Sequence, residues 1–335
     1  MFICNKISFL RKIHFLLFAF LVLFFSQCAK KGRPGGGPKD EDAPLFVTAN
    51  PPYESINFDK NEINIYFNEY IKLKDLNKQL IISPPLNPAN PSLISPQGSP
   101  SKFINIKILD TLKENSTYIF DFGNSVQDNN ESNVLERFKY VFSTGTYIDS
   151  LTLEGNVKNA FKSDDLKNIK LLLYRLDSSY TDSAVYKRKP DYVTSSLDTS
   201  NYKFSNLRKG NYLLVALNDE RSDYLFNPKT DEIGFLKDTI SLPRDSVLKD
   251  IISIFKEELP YKFKRGKEIS KGQLILGYEG KASKIKVETL STVPDNFQAI
   301  AFPEKEKDTI NLWHTPIERD SLIFKVSTNG ISDTV

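Results

Sequence analysis

The chain has 335 residues with 45 Lys+Arg against 42 Asp+Glu, and the whole three-charge excess sits in Lys6, Arg11 and Lys12 of the first 27 residues. The remainder is electrically neutral, which argues against a nucleic-acid groove or a general pull toward anionic surfaces. Cys4 and Cys28 are the only cysteines; with Cys4 inside the leader, neither an intramolecular disulfide nor a cysteine-based metal site can form in residues 28–335.

The first 27 residues read in three blocks. Lys6, Arg11 and Lys12 supply positive charge, Phe15 to Phe25 is an unbroken apolar run, and Ser26-Gln27 closes it. That is the order of a secretory signal peptide. A membrane-crossing helix needs roughly 20 apolar residues to cover about 30 Å of hydrocarbon, and this run is about half as long. With Phe25-Ser26-Gln27 immediately before Cys28, the segment resembles the leader of a bacterial lipoprotein, in which the cysteine becomes the first mature residue. The resemblance implies lipidation of Cys28. Only a thiol at that position accepts a diacylglyceryl group, and each buried methylene contributes about 0.8 kcal/mol, so several acyl chains anchor durably.

Residues 28–43 then change character. Gly35-Gly36-Gly37 with Pro34 and Pro38 opposes both helix and ladder, so the segment is expected to be a tether. No strand precedes the glycines and no Gly-Lys-Ser/Thr comes after them, which removes the phosphate-loop reading. The acids Asp40-Glu41-Asp42 lie a dozen residues beyond Cys28 rather than directly after it. Lipoproteins exported to the cell surface tend to carry acids at once, so the resemblance points to the periplasmic face of the outer membrane.

Beyond the tether the period is two. Ile63, Ile65 and Phe67 alternate with polar residues, as do Ile104, Ile106 and Ile108, and Tyr118, Phe120 and Phe122 alternate with Ile119 and Asp121. Such alternation predicts half-buried strands, and the turn clusters between them suit an antiparallel sandwich of about 100 residues. Helical patterning is confined to one expected turn between Leu73 and Gln79. The opening Ala49-Asn50-Pro51-Pro52, the strand Ile63 to Glu69, the segment Leu112 to Tyr118, the polar loop Asp128 to Asn133 and the close Phe142-Ser143-Thr144-Gly145 occur in an order that resembles the bacterial Ig-like domain of the S-layer-protein (SbsA) type. In that loop Ser132 stands where glycine is expected. Together with the Gly/Pro run before it, the stretch is similar to a lineage of cell-envelope lipoproteins with this domain at the N-terminus.

Residues 147–255 are expected to form a second β-sandwich. Leu153 to Val157 opens it, Ile169 to Tyr174 is an apolar strand, and Tyr202 to Ala216 reads as a hairpin turning at Lys209-Gly210. The pattern resembles the transthyretin-like, carboxypeptidase-regulatory type of module, with Asn201 in place of a glycine. In 256–335 further strands are expected at Gln273 to Tyr278, Ser283 to Val287, Phe297 to Phe302 and Leu322 to Val326, and the last residues read as a turn and the start of another strand. This region is therefore expected to be a partial, truncated β domain lacking partner strands. The fold class is all-β, in serial antiparallel sandwiches.

Chemistry-bearing residues are sparse. After the leader His314 is the only imidazole, in Asn311 to Pro316 beside the only tryptophan, and it reads as a strand-end residue rather than a base; no Gly-x-Ser-x-Gly elbow exists. Two acidic loops are candidate calcium sites: Asp219, Asp223 and Asp231 with Asn227, where Arg221 occupies a position that needs an oxygen, and Asp128 to Asn133, whose residues are more often turn formers. The proline-rich connection Pro84 to Pro100 is a candidate partner contact. Lys262, Lys264, Arg265, Lys267 and Lys271 form a basic interval among acids. The sequence indicates no cofactor. The leading expectation is a non-enzymatic, lipid-anchored spacer and protein-binding scaffold with an envelope protein partner. A glycan-binding adhesin, which needs clustered exposed aromatics, and a carboxylate-dependent hydrolase, which needs a convergent acidic cleft, are the alternatives.

Overall fold

The computed structural model describes residues 39–161, 166–197, 199–243, 251–282, 284–304, 307–318, 320–328 and 330–335, together with His14. Cys28 and most of the leader and tether lie outside the described residues. The chain divides into two units, Met1–Asp42 and Ala43–Val335, and the second contains every strand named below.

Its first module runs in chain order through β1 (Phe46–Asn50), β2 (Glu62–Leu73), α1 (Leu76–Gln79), β3 (Ile81–Ser83), β4 (Leu93–Ser95), β5 (Ser101–Lys107), β6 (Thr117–Asp121), β7 (Val126–Asp128) and β8 (Lys139–Ser143). One sheet has the order β1-β2-β5-β4, with β7 on the far end of β2, and the facing sheet is β3-β6-β8. The alternation decides which side is which: Ile63, Ile65, Phe67, Ile104 and Ile106 point inward and are buried, meeting Tyr118, Phe120, Tyr140 and Phe142 from the other sheet. Phe58 and Phe142 close the middle with ring centroids 4.0 Å apart. Burying each such side chain contributes about 1.5–3 kcal/mol. In β6 the other phase is covered too, since Ile119 is buried along with Tyr118 and Phe120. The cause is the second module, which covers the outer face of β3 and β6.

That module comprises β9 (Leu151–Asn159), β10 (Lys170–Arg175), α2 (Ala184–Lys187), β11 (Tyr192–Ser195), β12 (Asn201–Leu207), β13 (Gly210–Asn218), β14 (Glu232–Phe235), β15 (Ile240–Leu242) and β16 (Ile252–Lys256). They form one eight-stranded sheet, β11-β10-β13-β14-β16-β9-β12, with β15 on the edge of β13. The sheet folds over its own core of Leu153, Leu171, Leu173, Phe204, Leu214 and Ile254 until β12 returns beside β11, where Thr194 Oγ1 donates to Lys203 O at 2.9 Å. One expectation is corrected. The segment Tyr202 to Ala216 is not a hairpin: β12 pairs with β9, whereas β13 pairs with β10, β14 and β15, so Lys209-Gly210 is a crossover between separate parts of the sheet. Asn206 near the end of β12 takes a left-handed φ of 56. One pairing also departs from the antiparallel rule, since β16 runs parallel to β9.

The third module holds β17 (Lys262–Ser270), β18 (Gln273–Glu279), β19 (Lys286–Thr289), β20 (Ala299–Pro303), β21 (Thr309–His314), β22 (Phe324–Thr328) and β23 (Ile331–Thr334). A four-stranded sheet β17-β18-β21-β20 faces a three-stranded sheet β19-β22-β23 across Leu276, Ile310, Leu312, Phe324 and Val326. The strand begun at Ile331 has its partner: β23 pairs with β22, and Val335 exchanges backbone hydrogen bonds with Phe324 at 2.9 and 3.0 Å.

Candidate functional site

The first two modules share a core. Ile81 of β3 packs with Leu172, Tyr174 and Val193, which occupy the outer phase of β10 and β11. Around it the Val193 N–H donates to Ser83 Oγ at 3.0 Å, and Lys189 Nζ donates to Leu86 O at 2.5 Å. On the opposite flank Asp149, buried in the connection between β8 and β9, accepts from Thr117 Oγ1 at 2.9 Å and holds Arg208 Nη2 at 3.5 Å. Arg208 also donates to Asn115 O, and Asn206 Nδ2 donates to Asp149 O at 2.9 Å.

The proline-rich connection is anchored on this junction. Its chain leaves β3 through Pro84 and Pro85, pairs briefly as β4, and is held by the Asn87 N–H donating to Asp110 Oδ2 at 2.6 Å. Between it, α1 and the second module lies a groove of about 270 Å³, lined by Asn77, Leu80, Ile82, Leu86, Pro88 and Tyr224. A second hollow of about 390 Å³ lies on the other side of α1, against Leu73, Leu76, Lys78, Pro96 and Gln97. Apolar concavities between domains are where proteins tend to take ligands, and proline- and aromatic-lined grooves suit extended peptide. None of its lining residues is a histidine or a carboxylate.

Tyr224 forms the second-module wall, and the acidic loop explains its position. Asp219 Oδ2 accepts the Tyr224 N–H at 2.7 Å and Oδ1 accepts the Arg221 N–H at 3.1 Å, while Ser222 and Tyr224 take left-handed φ values of 55 and 61. Burial pushes the Asp219 carboxyl up and the Tyr224 phenol up to about 12. Lys189 Nζ lies 5.9 Å from the centre of the Tyr224 ring, and burial holds its ammonium below the usual lysine range. Neither Tyr224 nor Lys189 stands out in the sequence. The available signal is the apolar run Tyr224-Leu225-Phe226 directly after an acidic turn.

The remaining acids of the two loops shape their own backbone. Asp223 Oδ1 accepts the Leu225 N–H at 2.9 Å and its carboxylate pairs with Arg221 at 3.2 Å; Asp231, fully buried, accepts from the Asn227 N–H at 2.8 Å and Thr230 Oγ1 at 2.7 Å. Asp219, Asp223 and Asp231 thus each fold the chain locally, and among the described residues no group of three His, Cys, Asp or Glu side chains converges to hold a metal. Asp128 is buried and accepts four backbone N–H groups, from Asn130, Glu131 and Ser132 on Oδ1 and from Asn133 on Oδ2. Desolvation works to raise its pKa, but the four donors together hold it below the usual carboxylate range. Ser132 does make the tight turn, with φ 69.

His314 ends β21 between the rings of Phe297 and Phe324, its Nδ1 3.1 Å from Thr315 O. In the basic interval Lys264 pairs with Glu279 at 2.7 Å and Lys271 with Glu318 at 3.4 Å, and β17, which carries Lys264, is an edge strand. Lysines on an edge strand discourage unwanted strand pairing. On the outer face of the first module Tyr66 and Phe103 are exposed opposite each other, rings 5.7 Å apart, beside the Asn64 and Asn105 pair, whose amides bond at 2.9 Å.

Among solved structures the chain is similar to surface layer protein SbsC, domains 1–6, at 7% identity over 87% of this chain and 53% of that one, with a TM-score of 0.22. A second S-layer structure, rSbsC(31-844), matches at 10% identity over 86% and 54%, TM-score 0.20, so the chain spans about half the length of both. The three-Ig titin structure I67–I69 matches at 13% identity over 87% and 96%, TM-score 0.19. No curated protein matches the chain. The family model of the bacterial Ig-like domain matches residues 40–144, the span of the first module.

Proposed function

We propose that the chain is a non-enzymatic, lipid-anchored protein of the cell envelope whose β modules act in series as a spacer and a protein-binding scaffold. The observation that carries this reading is the core shared by the first two modules, in which Ile81 is buried among Leu172, Tyr174 and Val193. A spacer needs modules that move as one body, and a buried apolar seam flanked by the Asp149 and Lys189 contacts supplies that stiffness. The groove beside the seam gives a partner an apolar seat made of both modules. The bacterial Ig-like match supports an envelope setting, and the leader with Cys28 supports anchoring at the outer membrane, on its periplasmic face. Among the described residues no helix is long and apolar enough to cross a membrane; the mode of attachment proposed, lipid at Cys28, rests on the leader sequence.

A second reading, glycan binding, is favoured by the exposed Tyr66–Phe103 pair beside the Asn64–Asn105 amides, since sugar rings stack on aromatic faces while amides meet their hydroxyls. Pull-down from native membranes with the lipidated chain separates the two. Recovery of a stoichiometric envelope protein, lost when Tyr224 or Leu80 is changed to a charged residue, supports the scaffold. Retention of glycan that depends on Tyr66 and Phe103 supports the alternative and sinks the first.

A further inference from the structure

We infer that the apolar apex at the start of the first module, Leu45 to Ile56, rests directly on the bilayer surface. This inference rests on the reading that Cys28 carries lipid. Leu45 is 62% exposed, Val47 59%, Ile56 47%, Tyr53 42% and Phe46 38%, so five large apolar side chains face water within twelve residues. Glu54 is the only charged residue among them. Exposed apolar clusters of this density mark interaction sites more often than chance surface composition.

The geometry holds the cluster in place. β1 is an edge strand paired only with β2, and the register slips between Phe46 and Thr48, which leaves Val47 without a partner in the ladder. The Leu45 N–H donates to Asn68 Oδ1 at 2.7 Å and the Asn68 N–H to Leu45 O at 3.1 Å, fixing the start of the strand. Phe46 leans on Tyr53 and Phe138 with centroids 6.2 and 5.9 Å away. The apex is a preformed surface.

Its place in the chain identifies the occupant. Leu45 follows Cys28 by 17 residues, a contour of at most about 60 Å. Lipid at Cys28 therefore keeps the apex within reach of the same bilayer, so that contact is intramolecular in character and favoured by effective concentration. Between anchor and apex Lys30, Lys31, Arg33 and Lys39 nearly balance Asp40, Glu41 and Asp42. With the link close to neutral and Glu54 the one charge in the apex, the contact is apolar insertion among zwitterionic headgroups, insensitive to salt. The exposed Ile300, Phe302 and Trp313 of the third module have no comparable link to the anchor.

The full lipidated chain with Val47→Cys, labelled with a polarity-sensitive fluorophore and placed on phosphatidylcholine vesicles doped with spin-labelled lipid, tests this, with mass spectrometry of the peptide carrying Cys28 alongside. The expected result is blue-shifted, quenched emission at position 47 that persists in 1 M salt, against aqueous emission from a Lys237→Cys control. Adding Leu45→Ser and Ile56→Ser is expected to weaken the docking equilibrium roughly 30-fold. An acylated chain whose position-47 probe stays as aqueous as the control overturns the inference and leaves the anchor standing. An unmodified Cys28, with the chain washing free, overturns the anchoring reading and the inference with it. A blue shift present before vesicles are added, and growing with protein concentration, assigns the apex to a second copy and also overturns the inference.

Discussion

Replacing Asp149 by alanine is expected to loosen the seam between the first two modules by about 2–4 kcal/mol. The magnitude comes from what the carboxylate does. Its bond from Thr117 Oγ1 is 2.9 Å long and buried, and a hydrogen bond to a charged group contributes about 1.5–3 kcal/mol. The Arg208 pair is long, at 3.5 Å, and the guanidinium side is 29% exposed, so screening limits it to about 1 kcal/mol or less. The backbone bonds of Asp149, from its N–H to Thr117 Oγ1 and from Asn206 Nδ2 to its carbonyl, survive in the variant. Amide hydrogen exchange at residues 115–118 and 206–208 reads the local opening free energy, and spin labels at Lys107→Cys and Lys237→Cys read the inter-module distance distribution, which is expected to broaden. A double-mutant cycle with Thr117→Val isolates the Asp149–Thr117 term, with an expected coupling of about 1–2 kcal/mol. An opening free energy within 0.5 kcal/mol of the parent, as a rough bound on ordinary surface substitutions, together with an unchanged distance distribution, would refute the claim that Asp149 ties the modules together.

Asp128→Ala removes the acceptor of four backbone N–H groups and is expected to cost about 3 kcal/mol in chemical denaturation. Because the folded carboxyl lies below the usual value near 3.9, its contribution is fully present above that pH and is lost as pH falls through the lower folded value; the alanine variant lacks this acid limb, and calcium or chelator leaves the parent unchanged. Burial pushes the phenols of Tyr140 and Tyr224 up to about 12, so their tyrosinate absorbance should appear late in an alkaline titration and near 10 once unfolded, with the stability they contribute present below about pH 10 and lost as pH rises toward 12. Gly234→Ala would bring a Cβ to 2.6 Å from the Ser253 carbonyl and 2.9 Å from Ile252 Cγ2. Forcing β14 away from β16 in this way is expected to lower stability by about 2–3 kcal/mol, read as a shifted urea midpoint.

The strands of the first module are legible because one physical variable, burial of every second side chain, fixes both their existence and their facing. Ile63, Ile65 and Phe67 alternate in the sequence and are the buried phase in the fold. The continuous apolar run of β10 carries a further message: a strand apolar in both phases is covered on both faces. Leu171 and Leu173 enter the module's own core while Leu172 and Tyr174 enter the seam. What covers the second face is not legible, since Ile81 lies some ninety residues away and no local pattern encodes that pairing. The expected hairpin fails for a related reason. A glycine after a basic residue is compatible with a tight turn and with a crossover alike, and the choice belongs to β9 and β10, which claim β12 and β13 separately.

The acidic loops are hard to read for a conformational reason. Whether a carboxylate in a loop faces its own backbone or outward is set by left-handed residues such as Ser132, Ser222 and Tyr224, and these side chains give little warning of such geometry. Once those residues turn, Asp128 and Asp219 meet N–H groups, and the oxygens that suggested a cation are committed to shaping the chain. For Asp219 the product is the position of Tyr224 against Leu80, Ile82 and Pro88. The groove therefore has walls from two modules and exists in this shape only while the seam around Ile81 is closed. On the proposed scaffold reading, stiffness and partner capture are one property, and any substitution that opens the seam, Asp149→Ala included, should weaken binding of the proposed partner at the groove without touching a residue that lines it.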